Sequence, residues 1–219
     1  MTEFVNTFPL EEHDRMLFPM ERSKYYDQII EYHRQWKEPQ RSVEVVQVLL
    51  FNEVWELIIQ KRSSTKRHNP NLLDKSIGGH IRVGDTPDHT VMVETVQEME
   101  VPSFVIHNRN EFLDKFSVLK EYIQTIALIR YVDCNVHVFS QLIQWEQVKV
   151  PKKYHLYMGV YGWSTRTIDR EAKGILRYSM EEVDYELKKY PDMFTNDFQY
   201  FMNHYRKDID AFIEDIKKF

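Results

Sequence analysis

Glu94 and Glu98 stand four places apart in a segment that is led in by Gly78, Gly79 and Gly84 and runs on to Val101. On a helix that separation sets two carboxylates on one face. Unpaired they repel slightly, and a divalent cation between them relieves the repulsion. Such a cluster suits cleavage of a diphosphate, in which divalent metal polarises the phosphoryl oxygens and water is positioned for in-line attack. A solvated helix face with two surface acids is the plainer alternative, because exposed glutamates are common.

Upstream lies a basic run, Lys61, Arg62, Lys66, Arg67 and His68, which could clamp phosphate oxygens or simply form a solvated loop. Three of the six glycines, Gly78, Gly79 and Gly84, fall between that run and the acids, where backbone must bend or approach a ligand. The nine histidines show no metal-binding spacing such as H-E-x-x-H, and neither a nucleophile elbow nor a phosphate-cradling lysine loop is present. Glu146 and Glu171 are remote acids that could complete a cation shell. Cys134, the sole cysteine, excludes an internal disulfide and a thiolate cage, fits a reducing interior, and is expected to be a small buried apolar residue.

The elements that must hold these residues are legible to different degrees. Thr86-Pro87-Asp88 is a helix start, with a hydroxyl cap, proline at the first position and an acid in the first turn, and the acidic helix is predicted over 87–99. Its core face should carry Val91, Met92, Thr95, Val96 and Met99, with Glu94, Gln97 and Glu98 projecting from an adjoining face. A helix over 23–36 is expected to end before Pro39. Residues 43–51 and 54–60 read as two antiparallel strands joined at Asn52-Glu53, and a polar loop covers 61–75. A second amphipathic helix is predicted over 111–130, later strands over 136–139 and 154–161, and the stretch between those strands fits neither period.

Ser179-Met180-Glu181-Glu182 has the form of a capping box, opening a helix that Pro191 stops. After Thr195 an apolar stripe of Phe198, Phe201, Met202, Tyr205, Ile209, Phe212, Ile213 and Ile216 predicts a final helix. It is expected to pack on the domain, a homodimer contact being the alternative. The resulting organisation is a helical arm over 1–40, a domain over 41–190 with a helical insertion near 108–132, and a C-terminal helix over 191–219.

At 219 residues, with 42% hydrophobic and 14% aromatic residues, one well-packed domain is expected. The net charge of -5 argues against a nucleic acid polymer as partner, though a nucleotide-sized anion needs only a local basic patch. Residues 1–10 lack a basic start followed by an apolar run, and no stretch has membrane-span length, so a cytoplasmic protein without membrane association is expected.

The segment from Gly79 to Val101 resembles the Nudix box, G-x5-E-x7-R-E-U-x-E-E-x-G-U, with spacing intact and Asp85, Val93, Gln97 and Glu100 where the family has Glu, Arg, Glu and Gly. The preceding run, from Lys61 through Pro70 and Asp74 to His80, is similar to the subgroup related to isopentenyl-diphosphate isomerases, so that the likeness covers about 40 residues. The resemblance implies an α/β Nudix fold, a mixed β-sheet between helices, here extended by the N-terminal helix and the helical C-terminal tail. It further implies a Mg2+- or Mn2+-dependent hydrolase of a small-molecule diphosphate, nucleoside-based, in which Glu94 and Glu98 are the metal-binding catalytic acids. Asp85 would take the supporting acidic position, Gly79 would shape the loop, and Arg62 and Lys66 would grip phosphate. Gln97 weakens attraction for a hard cation, Val93 removes an orienting arginine, and Glu100 requires a different C-cap. These departures motivate an alternative, a Nudix-fold ligand-binding or interaction module without turnover. Isomerisation is disfavoured, because Gly78 stands where those enzymes carry a cysteine.

Overall fold

The computed structural model describes residues 2–11, 15, 17–162 and 172–219. Its elements in chain order are β1 (Phe4–Val5), β2 (Thr7–Pro9), β3 (Met20–Glu21), α1 (Arg22–Arg34), β4 (Arg41–Phe51), β5 (Leu57–Arg62), β6 (Leu73–Asp74), β7 (Ile77–His80) and α2 (Pro87–Met99). There follow β8 (Ser103–Ile106), α3 (Arg109–Leu119), β9 (Ala127–Ile143), β10 (Glu146–Val160), β11 (Ala172–Tyr178), α4 (Met180–Lys189), α5 (Asn196–His204) and α6 (Arg206–Ile216). A nine-stranded mixed sheet runs β11-β5-β4-β10-β9-β8, with β2 and β7 also on β4 and β6 on β5. This is the α/β architecture, a mixed sheet between helices, that the resemblance implied.

Alternation along β4 explains the layering. Val43, Val45, Leu49 and Phe51 join one buried cluster with Tyr25 and Ile29 of α1 and with Phe198, Phe201, Phe212 and Ile216 of α5 and α6. Val46, Val48 and Leu50 join the other, with Val91 and Met99 of α2. A strand covered on both faces reads as a near-continuous apolar run, and so it does here. Gln47 interrupts that run.

The relation between β4 and β5 departs from the expected hairpin. The two pair only at Phe51 and Leu57. Asn52 is the reason the turn is longer than two residues: its side-chain oxygen accepts from the backbone of Val54 and Glu56, and Trp55 takes a positive φ of 67°. Beyond that point the strands fork. β7 adds antiparallel to β4 and β6 to β5, and β10 pairs with β4 in parallel. Ser76 spans the fork, donating to the carbonyl of Ile58 and accepting from the amide of Leu50 at 2.8 Å.

Other expectations need correction. The helix predicted over 111–130 ends at Leu119, and 127–130 already belong to β9, because Ala127, Leu128 and Ile129 are buried in the sheet. The ambiguous stretch after residue 139 is a long β9–β10 hairpin, turned at Gln144 and Trp145 with φ of 50° and 69° and lacking the glycine that usually marks such a turn. The C-terminal stripe is carried not by one helix but by two that meet at Tyr205, and its residues join the buried cluster on one face of the sheet. Cys134 is half-buried, with Sγ 3.8 Å from His155 Nε2, rather than an apolar core residue. Glu171 lies outside the described residues. Among the described residues no helix is long and apolar enough to cross a membrane.

Candidate functional site

The fork between β4 and β5 opens a cleft of about 100 Å³. Gln47 comes to it from β4, Gln60 and Arg62 from β5, Asp74 from β6, Gly78, Gly79 and His80 from β7, and Glu98 from α2. Gln141 of β9, Lys152 of β10, Asp197 of α5, and Arg22 and Tyr26 of α1 complete the walls. An outer groove of about 600 Å³ shares Arg22, Tyr26, Arg62, Lys66 and His68 with the cleft. These five mark the mouth.

The helix that delivers the acids begins as its sequence dictates. Thr86 accepts from the amide of His89, Pro87 occupies the first turn, and Glu100 closes the helix in the left-handed conformation at φ 58°. Glu98 is buried and its Oε2 accepts from Gln60 Nε2 at 2.8 Å, while Gln60 also donates to the carbonyl of Ser76. Glu94 lies against Gly79. Gln97, by contrast, is exposed, and so are Met92 and Val96, which had been assigned to the core face; Thr90 and Glu98 are turned inward instead. Helix α2 is therefore rotated from the orientation read from its apolar residues, because the cleft recruits a buried carboxylate.

Asp85 sits at the amino end of α2, 3.3 Å from His89 Nδ1, and does not line the cleft. Glu146 is at the β9–β10 turn, 3.0 Å from Arg34. Arg62, Lys66, Gly79 and Glu98 are brought together; Arg67 reaches only the outer groove. The basic loop is folded back over the cleft by Asn69, whose amide donates to the carbonyl of Leu142 and whose side-chain oxygen accepts from the amide of Leu142, both at 2.8 Å. Arg62 then caps the loop by donating Nε and Nη2 to the carbonyl of His68, and reaches Asp74 at 3.0 Å.

The inner wall is a buried chain of charges that the sequence reading missed. Asp74 accepts from Arg62, Lys75 and Thr195, Lys75 also lies 3.9 Å from Asp197, and Lys152 is bonded to Asp197. Burial alone would raise the Asp74 carboxyl, but the Lys75 and Arg62 cations overcome it and hold the group well below the usual carboxylate range. Burial lowers Lys152, opposed by Asp197. His68 is pushed down to about 3, by burial first and then by Lys152 and Arg22, and His80 is driven well down for the same first reason. Both rings are neutral at neutral pH. Tyr26, pushed up to about 12 mainly by burial, shares a 2.8 Å hydrogen bond with His80 Nε2. The one local signal for this wall was Gln47, a polar residue in an apolar strand; Lys152 and Asp197 become interior only through contacts across 45 residues of chain.

Among the described residues, no group of three or more His, Cys, Asp or Glu side chains could by itself hold a metal ion. Magnesium commonly keeps several waters and binds through one or two carboxylates together with substrate phosphates; of the two acids expected to do this, Glu98 lines the cleft and Glu94 packs on Gly79 of its wall. Gly78 also fits its surroundings, since a β-carbon there would stand 2.6 Å from Lys75 Cε.

Neither a family model nor a curated relative matches the chain. Solved structures do. The chain is similar to the protein DR0079 of Deinococcus radiodurans, at 15% identity and a TM-score of 0.61 over 92% of this chain and 98% of that one. It is also similar to the MutT protein of Methanosarcina mazei Go1, at 15% identity and a TM-score of 0.48 over 75% of this chain and 93% of that one. A third likeness is to the NUDIX domain of NrtR from Shewanella oneidensis, solved with ADP ribose, at 12% identity and a TM-score of 0.44 over 91% and 98%. The likeness to DR0079 is one of fold alone.

Proposed function

We propose that the cleft hydrolyses a diphosphate linkage in a nucleoside diphosphate derivative, with Glu94 and Glu98 as the acids that receive a Mg2+ or Mn2+ ion. The observation that carries this reading is the meeting of Glu98, Arg62, Lys66 and Gly79 in one enclosed cleft, with Glu94 packed on Gly79. Lys66, Arg22 and Arg62 at the mouth contribute positive charge toward phosphate oxygens, Arg22 while bonded to Glu3 and Arg62 while bonded to Asp74. The ion would polarise the phosphoryl oxygens and neutralise charge as the linkage breaks. Water adds to one phosphorus, the bridging P–O bond breaks, the bridging oxygen leaves with the other phosphorus, and a proton is released. The Tyr26 and His68 rings, 4.2 Å apart and tilted by 53°, line the outer groove, where the edge of His68 could pack against a nucleoside end. Asp85, engaged with His89, supports the start of α2 rather than the cleft.

The test is turnover of nucleotide sugars, dinucleoside polyphosphates and nucleoside triphosphates with each metal, followed by product release. Glu98→Gln should abolish release while leaving the fold intact. A second reading, a binding module without turnover, is favoured by the Gln60 amide already donating to Glu98 and by the exposure of Gln97. It would be supported by ligands that raise the Tm without metal and are never cleaved.

A further inference from the structure

Gln60 donates through one nitrogen to two acceptors, its Nε2 lying 2.8 Å from Glu98 Oε2 and 2.6 Å from the carbonyl of Ser76. Both amide hydrogens are thereby engaged. Turning the amide over would set Oε1 against a carbonyl and a carboxylate, so the side chain has one orientation here. The Ser76 end is fixed in its turn: its hydroxyl donates to the carbonyl of Ile58, accepts from the amide of Leu50 at 2.8 Å, and is wholly buried where β4 and β5 fork.

Alternation along β5 places this donor. Ile58, Gln60 and Arg62 share one face of the strand, and Ile58 joins the buried cluster that contains Val91 and Met99 of α2. The strand packs on the helix through Ile58 and presents the next side chain of that face to Glu98, 38 residues further along the chain. Glu98 is 6% exposed. A carboxylate so enclosed must be met by donors, and an amide meets it without bringing a positive charge that would compete with a cation. The bond engages one oxygen; a carboxylate has a second with which to ligate an ion.

We infer that Gln60 is a positioning residue for Glu98, holding the carboxylate toward the cleft by a neutral donor that is itself anchored at the fork. This role rests on the reading of Glu98 as a metal-binding acid, and the experiment separates the two.

Mn2+ is the probe, on the full chain. In the wild type it should broaden the side-chain amide resonances of Gln60, because an ion held by Glu98 lies beside them; resonances left sharp would take the metal away from Glu98 and end the proposed function together with this role. Gln60→Met keeps the length of the side chain and removes both donors. It should bind Mn2+ at least tenfold more weakly by calorimetry, retain a cooperative melt, and at saturating Mn2+ relax water protons faster than the wild type, because water takes the place of the misdirected carboxylate oxygen. Gln60→Asn, an amide one methylene short of its acceptors, should behave in the same way and serves if Gln60→Met does not fold. Broadened resonances in the wild type with undiminished affinity in the variants would overturn the positioning role and leave Glu98 as a metal acid. Weaker affinity with unchanged water relaxation would overturn it too, since general loosening of the cleft weakens binding without changing which oxygens reach the ion.

Discussion

Glu94 lies so close over Gly79 that a β-carbon on the glycine would stand 2.2 Å from Glu94 Oε1. Contacts of that length do not occur, so any larger residue at position 79 must push the carboxylate aside. The displaced part is the end of a flexible side chain, and the fold should survive. Gly79→Ala is therefore expected to lower Mn2+ affinity at least tenfold, read by calorimetry, with a small change in Tm. Unchanged affinity would separate Glu94 from the metal.

Lys152 and Asp197 form an ion pair at 5% and 1% exposure. Removing one partner from a buried pair leaves the other charge without full compensation, which typically costs about 3–5 kcal/mol. Lys75, 3.9 Å from Asp197, remains to offset part of it. Lys152→Met should then cost about 3 kcal/mol in urea unfolding, and the double variant with Asp197→Asn should be clearly less destabilised than the sum of the two singles. Simple additivity of the three variants would refute the pairing.

Glu100 holds φ 58° and ψ 26° at the end of α2, a conformation that costs side-chain-bearing residues and suits glycine. Glu100→Gly relieves that cost and loses some of the gain to the freer unfolded chain, so the net stabilisation should be about 0.5–1 kcal/mol. Differential scanning calorimetry checks it, with Glu100→Ala as a control that should show no gain.

His155 faces Glu44 at 3.0 Å and Cys134 at 3.8 Å. Burial disfavours the charged ring, but these two contacts outweigh it and raise the group to about 9. A folded value above the unfolded 6.5 means the stabilisation is fully present below 6.5 and is lost as pH rises toward 9, because the folded state holds the proton longer. The window is worth on the order of 3 kcal/mol. Urea titrations between pH 6 and 9.5 should show stability falling in the wild type, with a flatter profile in His155→Gln; parallel profiles would argue against the charged pair.

Local chemistry made α2 legible: Thr86, Pro87 and Asp88 fix where the helix starts, and the four-residue interval between Glu94 and Glu98 fixes their common side, because caps and helical period act within a few residues. The capping box at Ser179 and the apolar stripe from Phe198 to Ile216 were readable for the same reason. The sequence by itself thus determined the acidic helix, its glycine lead-in and the layered α/β arrangement. Only the tertiary structure decided which polar residues became interior. The forking of β4 from β5 at Asn52 created the cleft, and it drew in Gln47, Asp74, Lys75, Gln141, Lys152 and Asp197 from separate elements. A buried charge is tolerable only where its partners are, and those partners lie up to 121 residues away in the chain, as Thr195 does from Asp74. No local pattern encodes that distance.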